Sequence, residues 1–296
     1  MKLKTFNKPT LIVIAGATAV GKTKFCLNLA KKYQTSIISA DSRQFYRELK
    51  IGTAAPTEQE LQTVPHYFIA HLSIHDYYST SRFEQDVLQL LPSLFQQNQV
   101  VIMTGGSGLY LDTVCHGIDE LPDPDPEIRQ YVIALYEKKG IEELRKQLRI
   151  LDYDYYQKVD IANYKRLMRA IEVSLQTGMP YSKFLQQKRK KRDFEIEKYC
   201  LVRPREILFE RINRRVDEMM ENNLLQEAKQ LHPYKKLNAL NTVGYKELFQ
   251  YIEGQITLEE AINNIKVNTR RYAKRQLNWF KRDPNYQYID LAANEF

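Results

Sequence analysis

Cysteine is scarce, with three residues in 296: Cys26, Cys115 and Cys200. They stand far apart, and none belongs to a Cys-x-x-Cys pair or a Cys/His cluster, which argues against a zinc site. All three are expected to be reduced and mostly structural. Long apolar runs are missing too. No stretch nears the roughly 20 consecutive apolar residues that cross a bilayer, and the opening MKLKTFNKPT lacks the apolar core of a signal peptide. A cytoplasmic protein with no membrane partner is expected. Internal repeats and low-complexity segments are absent as well. His71 and His75 lie four residues apart, yet no carboxylate or cysteine partner completes a metal site around them, so structural roles are expected.

Charge of one sign is sparse in the second half of the chain. Residues 161–282 hold 26 of the 44 Lys and Arg but only 14 of the 36 Asp and Glu, so this stretch is strongly basic and the remainder slightly acidic. The total of +8 therefore understates a local field that suits a polyanionic partner.

Short β-branched runs alternate with helical patterns in the first 110 residues. Leu11–Ala15, Ser36–Ala40 and Val100–Met103 read as strands, and Arg82–Leu94 repeats apolar residues at three and four, as a helix does. That alternation predicts an α/β fold, a parallel sheet covered on both faces. At Leu121 a Leu-Pro-Asp-Pro-Asp-Pro segment ends any helix or central strand. Residues 121–192 are expected to form a helical insertion domain, with 1–120 and 193–296 as the core. The basic run Lys188–Arg192 leads into Tyr199–Val202, a strand that returns the chain to the sheet, and helices follow to Phe280.

Gly16-Ala17-Thr18-Ala19-Val20-Gly21-Lys22-Thr23 fits G-x-x-x-x-G-K-[ST] between a predicted strand and a predicted helix. Small residues let backbone N–H groups curl around phosphate oxygens, Lys22 adds charge, and the Thr23 hydroxyl suits Mg²⁺. A P-loop NTPase-like core that holds a diphosphate or triphosphate follows. Most such loops serve ATP, so a small-molecule or nucleotide kinase is one candidate. Against it, Val100–Met103 runs into Thr104-Gly105-Gly106 instead of the aspartate that usually closes a magnesium-positioning strand; Asp41 alone ends a strand here.

Further blocks add to the loop: Asp41-Ser42-Arg43-Gln44-Phe45-Tyr46, Ile51-Gly52-Thr53-Ala54, Pro65-His66, and Tyr78-Ser79 with Phe83 and Asp86. Gly105-Gly106-Ser107-Gly108-Leu109-Tyr110 comes next, then Asn163 with Arg166, Arg169, Ala170 and Glu172. The last are Val243-Gly244-Tyr245-Lys246-Glu247, Thr269-Arg270 and Tyr272-Ala273-Lys274-Arg275-Gln276. In this order, nearly end to end, they resemble the bacterial tRNA dimethylallyltransferases, or isopentenyl-diphosphate:tRNA transferases. The chain departs from that family's usual pattern at Ala17, Tyr67, Ser107, Ala162 and Tyr164, the last removing a carboxylate from a segment the family uses on RNA.

The resemblance implies transfer of a dimethylallyl group from dimethylallyl diphosphate to the exocyclic amine of adenine 37, beside the tRNA anticodon, forming isopentenyladenosine. It makes residues 16–23 a diphosphate holder, with Mg²⁺ as cofactor. Lys22, Thr23 and Arg211 would act on the leaving diphosphate, and Arg215, four residues on from Arg211, could also reach it. Asp41 is the expected general base for the amine. The resemblance also implies tRNA contacts at Asp41, Ser42, Arg43, Gln44, Ser107, Arg129, Lys165, Arg166, Leu167, Met168, Arg169, Asn241, Gly244 and Lys246. The stretch Arg270–Gln276 interleaves cations with an aromatic and suits phosphate contact, while Trp279 and Phe280 are expected to anchor its helix. A monomer is expected.

Overall fold

A computed structural model describes residues 5–185 and 190–293; Lys188 and Arg189 of the predicted basic run lie outside them. In chain order the first unit contains β1 (Thr10–Gly16), α1 (Lys22–Tyr33), β2 (Ile37–Ser39), α2 (Glu58–Thr63), β3 (His66–Tyr67), α3 (Thr80–Gln97), β4 (Val100–Gly105) and α4 (Gly108–His116). Residues 117–190 fold as a separate compact unit with α5 (Pro126–Leu151), α6 (Tyr153–Tyr156) and α7 (Tyr164–Thr177). The chain then resumes the first unit with β5 (Glu195–Val202), α8 (Arg205–Glu221), α9 (Leu224–Leu231), α10 (Tyr245–Ile252), α11 (Leu258–Phe280) and β6 (Gln287–Asp290). None of the helices described is long and apolar enough to cross a membrane.

The six strands form one sheet in the order β3-β2-β4-β1-β5-β6, with every pairing parallel. All seven residues of β1 are buried, because a central parallel strand is covered on both faces. Its side chains alternate accordingly. Ile12 and Ile14 join Phe25, Cys26 and Leu29 of α1 and Ile212 of α8 in one core. Leu11, Val13 and Ala15 join Phe83 and Val87 of α3 and Leu111 of α4 in the other. The three strands read from apolar runs near the start, and the one at 199–202, stand where the sequence put them. The short edge strands β3 and β6 do not show in the apolar pattern.

A third core packs α9, α10 and the start of α11 around Tyr46 and Leu49. It fixes the stretch that follows β2. Glu227 of α9 accepts hydrogen bonds from the N–H groups of Lys50, Ile51 and Gly52 at 3.1, 2.9 and 2.9 Å.

The second unit has its own core of Val132, Leu144, Leu148, Leu167, Ala170 and Ile171. Its long helix α5 starts on an Asp125 cap, whose carboxylate takes the N–H groups of Glu127 and Ile128. The helix breaks at Gly140, where φ is +72° and no Cβ has to be accommodated.

Candidate functional site: a cation-ringed phosphate loop facing a carboxylate

Crossing from β1 to α1, the chain leaves the carboxyl edge of the sheet, where ligands of open parallel sheets bind. The α1 N-terminus lacks a side-chain cap, and no acidic residue occupies its first turn, so its positive dipole end is open to an anion. Thr23 lies exposed in that turn. The loop is held by its carbonyls. Lys22 Nζ donates to Gly16 O at 3.0 Å and Ala17 O at 2.9 Å, Arg211 Nε to Ala19 O at 2.8 Å, and Arg203 Nε to Val20 O at 2.9 Å. Three cations thus crowd one short loop, a concentration of charge that a bound anion would relieve.

Burial pulls the Lys22 ammonium down to about pKa 8, an effect that the Asp41 carboxylate opposes and Arg215 reinforces. Arg211 and Arg215 lie one turn apart on α8, and burial depresses the pKa of both, with Asp41 supporting the charge on Arg215. Asp41 lies two residues past β2. One of its oxygens takes the Arg43 N–H at 3.0 Å, closing a short turn, and its charge is felt by Lys22, Arg215 and Tyr272.

Beside Asp41 runs a chain of hydroxyls. The Ser107 Oγ accepts from Ser42 N at 3.2 Å and donates to the Ser42 Oγ at 3.2 Å, and Tyr272 of α11 bonds to the same Ser107. Burial, then Asp41, pushes the Tyr272 phenol up to about 12. One turn further along α11, Gln276 accepts from Thr18 N–H at 2.9 Å and donates to Gly106 O at 2.9 Å. Three residues beyond, the Trp279 indole donates to Asp112 at 2.7 Å. A Cβ at 106 or 108 would sit 2.1 Å from the Gln276 amide or 2.2 Å from the Trp279 ring, so any larger residue would displace these side chains.

Several of the residues expected to touch RNA are engaged inside the fold instead. Leu167 is fully buried in the core of the second unit, on the same helical face as Ala170 and Ile171, so its side chain cannot meet a ligand. Arg169 points back: it donates to Pro122 O at 2.6 Å and lies 3.5 Å from the buried Glu172. Gly244 is buried too, with its N–H on Glu247 at 2.8 Å and a φ of +101° that L side chains rarely adopt. Gln44 uses its amide to hold the carbonyls of Thr53 and Ala54. Arg129 (side chain 3.9 Å from Glu172), Lys165, Arg166 and Lys246 remain exposed, while Met168 and Asn241 are half-buried.

The basic stretch on α11 divides in the same way. Arg271, Lys274 and Arg275 face outward, whereas Arg270 reaches Asn213 of α8 at 2.6 Å and Gln276 is buried. Phe280 is buried, so it and Trp279 anchor the helix as predicted. His71 packs edge-on against Phe45, Phe68 and Tyr78.

Sequence inspection passed over Arg203. It follows β5, the neighbour of β1, and a cation leaving the carboxyl edge beside a phosphate loop is a signal that could have found it.

A parallel sheet that delivers a glycine-rich loop into a helix N-terminus, with three cations bonded to that loop, defines a P-loop-like α/β protein. A model of one family, IPP transferase, matches residues 44–283, and the chain belongs to that family. A protein of Bacteroides thetaiotaomicron named tRNA dimethylallyltransferase 1 is 51% identical over 281 residues, 95% of this chain and 91% of its own. A tRNA dimethylallyltransferase of Christiangramia forsetii is 49% identical over 284 residues, 96% of this chain and 94% of its own. Among solved structures, the tRNA isopentenylpyrophosphate transferase of Bacillus halodurans aligns with a TM-score of 0.70 at 35% identity, covering 96% of this chain and 90% of that one. A eukaryotic dimethylallyltransferase, described as acting on tRNA, aligns at 0.79 and 27% identity, covering 96% and 74%. These relatives are transferases, and the kinase alternative falls away.

Proposed function

We propose that this chain transfers a dimethylallyl group from dimethylallyl diphosphate to the exocyclic amine of adenine 37, next to the anticodon of tRNA. The observation that supports this is the Asp41 carboxylate acting on Lys22, whose ammonium is bonded to the Gly16 and Ala17 carbonyls of the phosphate loop: a base lies beside a cation suited to the leaving group.

In the reaction the allylic C–O bond breaks and a C–N bond forms. The electron pair of the broken bond leaves with the diphosphate, where Lys22, Arg211 and the α1 N-terminus meet the growing charge. An adenine amine is a weak nucleophile, because its lone pair is delocalised into the ring. Asp41 takes its proton as the new bond forms.

The target base has to be unstacked to reach this site. Ser42, Ser107 and Arg43 flank Asp41 and suit its edge. Exposed Arg129, Lys165, Arg166 and Lys246, with Arg271, Lys274 and Arg275, suit the RNA backbone.

A divalent cation fits as an ion carried in with the diphosphate. No group of three His, Cys, Asp or Glu suited to a metal exists among the described residues, so the Thr23 hydroxyl would be its protein ligand alongside phosphate oxygens and water. Bound there, Mg²⁺ would neutralise leaving-group charge.

The test is to incubate the protein with labelled dimethylallyl diphosphate, Mg²⁺ and unmodified tRNA. Label is expected in the RNA, on an adenosine beside the anticodon, with release of diphosphate. RNA that stays unlabelled while ATP is consumed would overturn the proposal.

A further inference from the structure

The buried face of α11 is unusual for a basic helix. Gln276, 6% exposed, sits between the two halves of the site and bonds to backbone on each side: Thr18 N–H of the phosphate loop and Gly106 O of the turn carrying Ser107. A carboxamide carries a donor and an acceptor on one planar end group and so can bridge such a gap without a charge. Charged groups hold the loop's other anchor points, and each of those groups, Lys22, Arg203 and Arg211, bonds to a carbonyl. Among the described residues, Gln276 is the side chain that holds an N–H of this loop. Without it, Thr18 N–H would lose its partner in a largely closed setting, and the loop could turn that peptide.

We infer that Gln276 is a positioning residue that fixes the phosphate loop in its diphosphate-accepting shape and sets its distance from the Ser107 turn. This rests on the transferase function proposed above, but it concerns the loop's affinity for diphosphate, which can be measured without transfer. Side-chain chemistry gives a sharp prediction. In Gln276→Glu, the neutral carboxylic acid reproduces both bonds, its C=O accepting from Thr18 N–H and its O–H donating to Gly106 O. The ionised form instead sets an oxygen against the Gly106 carbonyl and adds a negative charge near the anion.

Binding of inorganic diphosphate with Mg²⁺ would be followed by calorimetry at pH 5.5 and pH 8, with wild type measured at each pH as the reference. Relative to wild type, Gln276→Glu is expected to bind within about twofold at the lower pH and at least about tenfold more weakly at the higher, the scale of one lost hydrogen bond. Gln276→Met, which can make neither bond, is expected to be weak at both. Gly106→Ala, whose new methyl would push the amide aside, is a second route to the same loss should Gln276→Met fold poorly. Affinity for tRNA is expected to stay within about twofold in all three, since a general loosening would weaken both ligands. Equal loss of both, or wild-type-like diphosphate binding by Gln276→Glu at both pH values, would overturn the inference. If wild type itself fails to bind diphosphate, the transferase proposal falls along with it.

Discussion

The Tyr245 hydroxyl donates to Glu227 Oε1 at 2.7 Å, and through that carboxylate α10 reaches the backbone of residues 50–52. The hydroxyl end of the Tyr245 ring also abuts Gly52, where a Cβ would come within 2.6 Å of it. Two separate motifs, Ile51–Ala54 and Val243–Glu247, are thereby explained by a single contact. Glu227→Ala leaves three N–H groups and a buried phenol without their acceptor. We expect a loss of roughly 2–4 kcal/mol in chemical denaturation. The same experiment on Glu227→Gln, which keeps one accepting oxygen, should give a smaller loss.

Lys22→Ala should lower turnover by at least about a hundredfold, because a buried cation at the leaving group is removed. Its affinity for tRNA should stay close to normal in a filter-binding assay. Near-normal turnover would show that the loop does not hold the diphosphate.

Asp41→Asn keeps the turn with the Arg43 N–H, since the amide oxygen still accepts, but it cannot take a proton. Single-turnover rates should fall by about 10²–10⁴. RNA binding should change little. A rate equal to wild type would remove Asp41 from the chemistry.

Burial sets the Lys22 pKa near 8 in the folded chain, against 10.5 for an ordinary lysine. The folded chain therefore loses this proton as pH rises through about 8, while the unfolded chain keeps it to 10.5. Between those values the unliganded fold gains stability, as the unfolded state binds more protons there. Its affinity for anions moves the other way. Diphosphate binding measured from pH 7 to 10 should weaken above about 8 in wild type relative to Lys22→Arg, whose guanidinium stays charged.

In the second unit, two arginines three residues apart should behave differently. Arg166 is exposed, so Arg166→Ala should leave the melting point unchanged, weaken tRNA binding and reduce its salt slope by about one. Arg169 lies 3.5 Å from Glu172, a carboxylate only 4% exposed, so Arg169→Ala should instead destabilise the fold by about 3 kcal/mol. Thermal melts and a salt titration on both variants separate the two roles.

How much of this could be read from the chain depended on burial. The strands β1 and β4 are covered on both sides, so their residues are apolar without interruption, and the glycine spacing after β1 has one structural meaning. By contrast β3 has only two residues, and half of β6 is exposed, leaving no apolar signature. At the site, Lys22, Asp41, Ser107 and Arg211 lie on loops and helices that meet at one edge of the sheet, because loops after parallel strands converge there. Motif matching gave no direction to side chains on helices. Leu167 shows the cost: with Ala170 and Ile171 it marks the apolar stripe of α7, and that spacing already pointed inward. Gln276 stood in a run that looked uniformly RNA-facing, and only packing separates its inner from its outer face.

The sheet order has a consequence for synthesis. On one side β1 pairs with β4, but its other neighbour is β5, which begins at Glu195. A ribosome therefore completes the whole of residues 117–190 before the oldest strand can gain its second partner, and the helix that braces the phosphate loop emerges later still. From the end of β4 at Gly105 to the start of β5 at Glu195 the nascent chain presents a half-paired apolar strand, and that window is where holding chaperones and slow codons would bear most on yield.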